Sequence, residues 1–322
     1  MSGAPRSAAL RLARALVHNA PILVLVIIFA TGALMSDRFL SPVNLRNILL
    51  QASIISVLAM GMTFVIISGG FDLSVGSIVA ASGCVAAWTM LHLGVAAGVL
   101  IGVVAGLAAG IVNGALIAWL RLNPFIATLG TMVILRGLAL LFTEGQPISG
   151  EAGLPTVFLD YARTSVLGIP LLTWTPIVLF LILGWALHLS AYGKKLYAVG
   201  GNGEAAFLSG IPVDRIRASA FALAGLTAGI AGVMLAARLQ SGQPTAAEGY
   251  ELNAIAAVIL GGASLRGGEG RLAMTIVGVF IIVILGNALN LMGVNSYWQR
   301  IAVGAVILLA AAADQIKRSR RH

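Results

Sequence analysis

What restricts this chain most is its rhythm of long apolar runs cut by short polar ones, from Pro21 nearly to its end. A helix needs about 20 apolar residues, rising 1.5 Å each, to cross ~30 Å of hydrocarbon. The apolar runs are Pro21–Met35, Ile48–Ser68, a third that opens after the turn Gly69-Gly70-Phe71-Asp72 and ends near Leu91, Gly94–Leu120, Phe125–Phe142, Ile169–Leu189, Ala218–Ala237, Leu272–Leu291 and Ile301–Ala313. Leu252–Gly262 is too short to cross as a straight helix; it either continues to Leu265 or is a broken or re-entrant segment. With 59% hydrophobic and 10% charged residues, a soluble domain is excluded. The expectation is an all-α, polytopic transmembrane helical bundle. It has about ten spans, one of them short or broken near 250–265, in a single domain over 1–322.

Local signals add detail. Asp72 or Ser74 can cap the third span, and Pro176 should kink or interrupt the sixth. Gly94, Gly98, Gly102, Gly106, Gly110 and Gly114 recur every four residues. At 3.6 residues per turn that stripe winds by roughly 40° per step, so it admits several neighbouring helices or one crossed steeply. It reads as packing rather than as a substrate site. Arg136 falls inside the fifth run, where an unpaired charge costs a few kcal/mol, so it must face a cavity, a partner or the interface.

Charge sets the orientation. Residues 1–19 carry Arg6, Arg11 and Arg14 with no small-residue cleavage site after them, which favours a retained first span over a signal peptide. Of the 20 Lys and Arg, fourteen fall on one side of ten crossings. Five (Arg38, Arg46, Arg163, Arg238 and Arg300) fall on the other, and Arg136 lies within a span. The positive-inside rule then places both termini in the cytoplasm: the tail 1–19, the loop 191–217 and the basic tail 314–322. The same rule accounts for the net charge of +9 better than nucleic acid does. The single cysteine, Cys84, makes no intrachain disulfide and reads as a packing residue.

Within the charged island Ala191–Arg217 the residues specify a short helix, Gly203–Ser209. Asn202 serves as N-cap, and Glu204 sits beside the positive helix end. Gly210 suits the left-handed position after the last turn, Ile211 folds back on Ala206, and Pro212 forbids continuation. A helix so short needs a surface to rest on. Either this is an ordinary loop or it is a docking element.

No phosphate-binding loop, nucleophile elbow or metal-ligand spacing is present in the sequence, so no catalytic residue, metal or cofactor is expected. No carboxylate lies in mid-span, which weakens proton coupling. The polar groups expected along a translocation path are Thr63, Ser68, Asp72, Ser74, Ser77, Asn113, Arg136, Asn287 and Asn290. Hydroxyls and amides suit a neutral, hydrogen-bonding solute such as a sugar, though for any single residue an interhelical hydrogen bond is the readier reading.

Four segments carry a family likeness: Gly61–Ser77, Asn123–Leu140, Tyr197–Ile211 and Gly242–Gly270. Together, in this order, they resemble the ribose-type permeases of bacterial ABC sugar importers, over about Asn44–Asp314. The resemblance implies a homodimer in the bacterial inner membrane, a cytoplasmic ATP-binding subunit, an extracytoplasmic sugar-binding protein, and membrane lipid around it. It also implies that 191–217 is the coupling loop. There Asn202, Glu204, Ala205, Ala206, Phe207, Leu208, Gly210 and Ile211 meet the ATPase, with Glu204-Ala205-Ala206 and Gly210 matching an importer signature. The downstream Ile-x-Leu-Pro of that signature is absent, and Phe71 stands where such permeases commonly have Ile. A branched-chain amino-acid or nucleoside permease of the same class is the nearest alternative. An ion-coupled secondary transporter is the next.

Overall fold

The structure, a computed structural model, describes residues 20–150, 152–295, 297–305, 308 and 312. The tails 1–19 and 314–322, and much of the last apolar run, lie outside the described residues. The elements are α1 (Ala20–Met35), α2 (Pro42–Ile67), α3 (Val75–Leu93), α4 (Val95–Ala118), α5 (Pro124–Thr143), α6 (Thr156–Arg163), β1 (Ser165–Val166), β2 (Ile169–Pro170), α7 (Leu171–His188), α8 (Ala191–Gly201), α9 (Gly203–Leu208), α10 (Val213–Leu239), α11 (Tyr250–Leu260) and α12 (Leu272–Leu291). Among the described residues seven helices (α2, α3, α4, α5, α7, α10 and α12) are long and apolar enough to cross a membrane, and α1 and α11 are shorter. This is a multi-pass, all-α membrane protein with one two-stranded antiparallel β-hairpin, β1–β2.

Several boundaries differ from the sequence reading, each for a local reason. α2 starts at Pro42 because the Ser41 side chain accepts from the Asn44 N–H and proline suits the first turn. Pro176 does not interrupt α7, which runs unbroken from Leu171 to His188. The loop before it holds α6, which buries Phe158, Leu159 and Ala162. The island begins with a helix, α8, whose N-terminus is capped by Ser190. α10 starts at Val213, directly after Pro212. Neither Asp72 nor Ser74 caps α3; Ser74 holds the N-cap position, but its hydroxyl donates to Asp72 instead. α11 does not continue to Leu265, because the chain turns at Gly261 and at Gly262, whose φ is +84°.

α2 forms the axis, buried along nearly all its length and surrounded by α10, α12, α7 and α11. α4, α5 and α7 are as apolar but keep Val, Leu and Ile side chains exposed. In a bilayer, hydropathy does not separate core from periphery, because lipid solvates an outward leucine as well as a neighbouring helix does. Close approach decides instead. The glycine stripe of α4 divides between two partners: a Cβ on Gly98 would meet Met90 and Ala86 of α3, and one on Gly106 or Gly110 would lie 2.5 Å from Gly229 or Phe221 of α10. The winding stripe thus serves two neighbouring helices, one of the outcomes its pitch admits.

Candidate functional site

α9 is terminated at both ends by its own sequence. The Asn202 side chain accepts from the Ala205 N–H at 2.9 Å, and Glu204 lies in the first turn. At the other end Gly210 adopts φ +79° and donates to Phe207 O, while Ile211 N–H reaches back to Ala206 O. That pair of bonds is the Schellman closure, which satisfies carbonyls the helix cannot. Ala206 is buried, whereas Phe207 is 69% and Leu208 80% exposed. Beside α9 lies a cavity of about 1190 Å³, lined by Ser68, Gly70, Arg121, Glu204, Phe207 and Arg215 among others. It brings the C-terminal end of α2, the α4–α5 turn and the start of α10 to one face.

A second feature is irregular backbone inside the bundle. The segment Gly69–Ser74 turns inward, and Asp72 and Ser74 have no exposed surface. Asp72 accepts from the Ser74 N–H at 2.9 Å and the Ser74 hydroxyl at 2.6 Å, and Asn113 donates to Ser74 Oγ at 2.7 Å. Asn113 Oδ1 is buried and accepts no hydrogen bond. Thr128 on α5 accepts from the Leu73 N–H.

The segment between α10 and α11 runs alongside α3. A Cβ on Gly242 would lie 2.8 Å from Cys84 Cα, and one on Gly76 would lie 2.7 Å from Ala247 O. Non-helical backbone survives at membrane depth only where protein or water satisfies it. Arg136 on α5 satisfies part of this non-helical backbone, donating to Pro244 O and, at 2.9 Å, to Ala246 O. Through Ala247 and Gly76 the α10–α11 segment touches the first turn of α3, which follows directly on Gly69–Ser74.

The remaining polar residues divide plainly. Thr63 bonds Thr275 at 2.9 Å, and Asn287 exchanges two amide bonds with Asn44. Ser68 lines the cavity, Ser77 is buried on α3, and Asn290 is exposed. Three contacts were not foreseen. Tyr192 stacks on Phe64 and bonds Ser219, Tyr197 donates to Gly270 O, and Gly200 presses on Ile67. Burial raises both phenols above the ordinary tyrosine range, so their O–H groups stay protonated. The signal was the spacing of Tyr192, Leu196 and Val199, one face of a helix.

Residues 44–311 match the family described as branched-chain amino acid transport system / permease component. The ribose import permease RbsC of Bacillus subtilis is 48% identical over 92% of this chain and 92% of its own length. That of Escherichia coli K12 is 42% identical over 94% and 95%. The chain belongs to this permease family. The L-arabinose transport system permease AraH of E. coli K12 is 37% identical over 100% of this chain and 97% of its own. No solved structure matches the permease significantly.

Proposed function

We propose that this permease is the membrane subunit of an ATP-binding-cassette importer and forms the path for a sugar delivered by an extracytoplasmic binding protein. It acts as a homodimer of about ten spans per copy in the bacterial inner membrane, both termini cytoplasmic, with an ATP-binding subunit docked on α9. The observation that carries this is a self-terminated helix that leaves Phe207 and Leu208 unburied, in a chain alike over 92% of its length to a ribose permease and over 100% to an arabinose permease. Broken helices mark the substrate site in many transporters, so the path is assigned to the junction of Gly69–Ser74 with the α10–α11 segment. Ser68, Asp72, Ser74, Ser77, Asn113 and Arg136 lie at or beside it. The unpaired Asn113 Oδ1 is an acceptor for a solute hydroxyl. Thr63, which pairs with Thr275, Asn287, which pairs with Asn44, and Asn290 are assigned to the same path beyond that junction.

The test is reconstitution in proteoliposomes with the ATPase and the binding protein, supplied with labelled ribose and arabinose. Uptake should require all three proteins and ATP. Phe207→Ala with Leu208→Ala should leave the permease inserted and dimeric yet weaken ATPase association by roughly 2 kcal/mol, ~30-fold, as loss of an anchor pair does. A second reading is branched-chain amino-acid transport, favoured by the family's description. Leucine uptake without sugar uptake would establish it, and uptake by the permease alone would point to ion coupling instead.

A further inference from the structure

We propose that α8 is the element that carries displacement of α9 to the inner end of α2, with Tyr197 and Gly200 as its positioning residues. This rests on α9 being the site where the ATPase docks.

The two helices share a single residue. Asn202 closes α8, its N–H bonding Ala198 O, and opens α9 as N-cap. A force on α9 therefore reaches α8 with one residue of slack. Beyond that joint, three backbones meet with no side chain between them. A Cβ on Gly200 would lie 1.7 Å from Ile67 O and 2.6 Å from Gly268 N. One on Gly267 would lie 2.8 Å from Gly200 O and 2.9 Å from Gly69 Cα, and one on Gly268 would lie 2.7 Å from Gly201 Cα. Gly268 N–H donates to Ile67 O at 2.9 Å, and Tyr197 OH donates to Gly270 O at 2.7 Å. Flexible side chains absorb a shift by changing rotamer, whereas backbone stacked on backbone passes it on.

Both ends of the contact have a use. On one side is the exposed α9. On the other is the Ser68–Gly70 turn, which continues directly into the buried segment holding Asp72 and Ser74. Tyr192 adds a second hold on α2 through Phe64, and one on α10 through Ser219. α8 thus grips the inner end of α2 and the loop after α11 at once. These two elements border the junction assigned to the path.

The experiment compares Tyr197→Phe, Gly200→Ala and the Phe207→Ala/Leu208→Ala pair in proteoliposomes with ATPase and binding protein. ATPase affinity, basal hydrolysis and sugar taken up per ATP are measured. Tyr197→Phe keeps the ring and removes one hydrogen bond. ATPase affinity and basal hydrolysis should hold while uptake per ATP falls about fivefold, as loss of one such bond shifts a two-state balance. Gly200→Ala should do the same more severely, and if it fails to insert, Tyr197→Phe decides alone. A merely structural role lowers uptake and hydrolysis together and leaves their ratio alone. Normal uptake per ATP in both α8 variants, with the α9 pair uncoupled, overturns this proposal and leaves the docking reading standing. Loss of ATPase affinity in Tyr197→Phe also overturns it, because α8 then only shapes the docking surface. Normal coupling in the α9 pair removes the docking reading itself.

Discussion

α9 and α11 are closed by the same backbone device in opposite surroundings. Gly210 and Gly262 have φ of +79° and +84°. Each glycine N–H reaches back three residues and the next N–H five: Gly210 to Phe207 and Ile211 to Ala206, Gly262 to Ile259 and Ala263 to Val258. Yet α11 buries the run Ala254–Ile259, while α9 buries Ala206 alone. Where a helix stops is written locally, in the glycine and the residue after it. How deep it sits depends on what its faces meet. α11 is apolar nearly all round and lies against α2 and α12, whereas α9 offers Phe207 and Leu208 outward beside a cavity lined by arginines. A helix closed at both ends but left uncovered suits the docking proposed above, and one covered on its sides belongs to the bundle.

The comparison breaks most violently at α11. A Cβ on Gly278 of α12 would stand 2.0 Å from Ala257 O, backbone against backbone. Gly278→Val must separate α11 from α12, costing roughly 3 kcal/mol or more by overpacking. No monodisperse permease should be recovered in detergent; a normal elution profile and melting temperature would show that α11 is held otherwise.

The two terminal glycines sharpen it. Neither Gly210 nor Gly262 has any atom within 4 Å of an added Cβ, so valine meets only backbone strain at each, about 1–2 kcal/mol in left-handed space. Equal local costs should have unequal consequences. Gly262→Val should lower the melting temperature of the isolated permease, because α11 cannot unwind without exposing its buried run. Gly210→Val should leave that temperature alone, because the last turn of α9 frays without disturbing the bundle, and instead cut sugar-stimulated hydrolysis by the docked ATPase. Equal loss of melting temperature at both positions would mean α9 is part of the core.

Much of this was legible from residues alone, and the limits have physical causes. The apolar runs located every long helix among the described residues, since length and composition suffice for that. Asn202, Gly210, Ile211 and Pro212 gave the ends of α9, because caps act between residues close in sequence. α8 stayed hidden behind Lys194, Lys195 and three glycines, although Ser190 and the Tyr192–Leu196–Val199 face were there to read. The pairing of Thr63 with Thr275, or of Asn44 with Asn287, was beyond reach. Partners more than 200 residues apart leave no local pattern. A charge at position 136 demands a cavity, a partner or the interface, and the fold supplies partners. That its partners are backbone carbonyls of a broken segment could not be read without the fold.

The smallest effect belongs to the cap that α11 lacks. Asn202 accepts from the Ala205 N–H through its side chain, whereas Gly249, at the start of α11, has no side chain to do so. At that end of α11 Glu251 accepts from the Gly249 N–H at 3.2 Å and packs against Gly76 of α3; α9, uncovered, relies on its own cap. Asn202→Ala removes the acceptor and should destabilise α9 by about 1 kcal/mol, the usual cost of an N-cap. Asn202→Asp keeps an acceptor oxygen and adds negative charge at the positive helix end, so α9 should hold as well as before. Amide exchange across Gly203–Leu208 reads this directly. It should quicken about fivefold in Asn202→Ala and stay unchanged in Asn202→Asp, with the bundle's exchange unaltered in both. With the ATPase docked, the difference should shrink, since the partner then supplies the order that the cap provided. If Asn202→Ala leaves exchange unchanged in the free permease, Ala206 packing alone holds α9. The distinction between a helix closed by its own sequence and one closed by its neighbours would then fail at its weakest point.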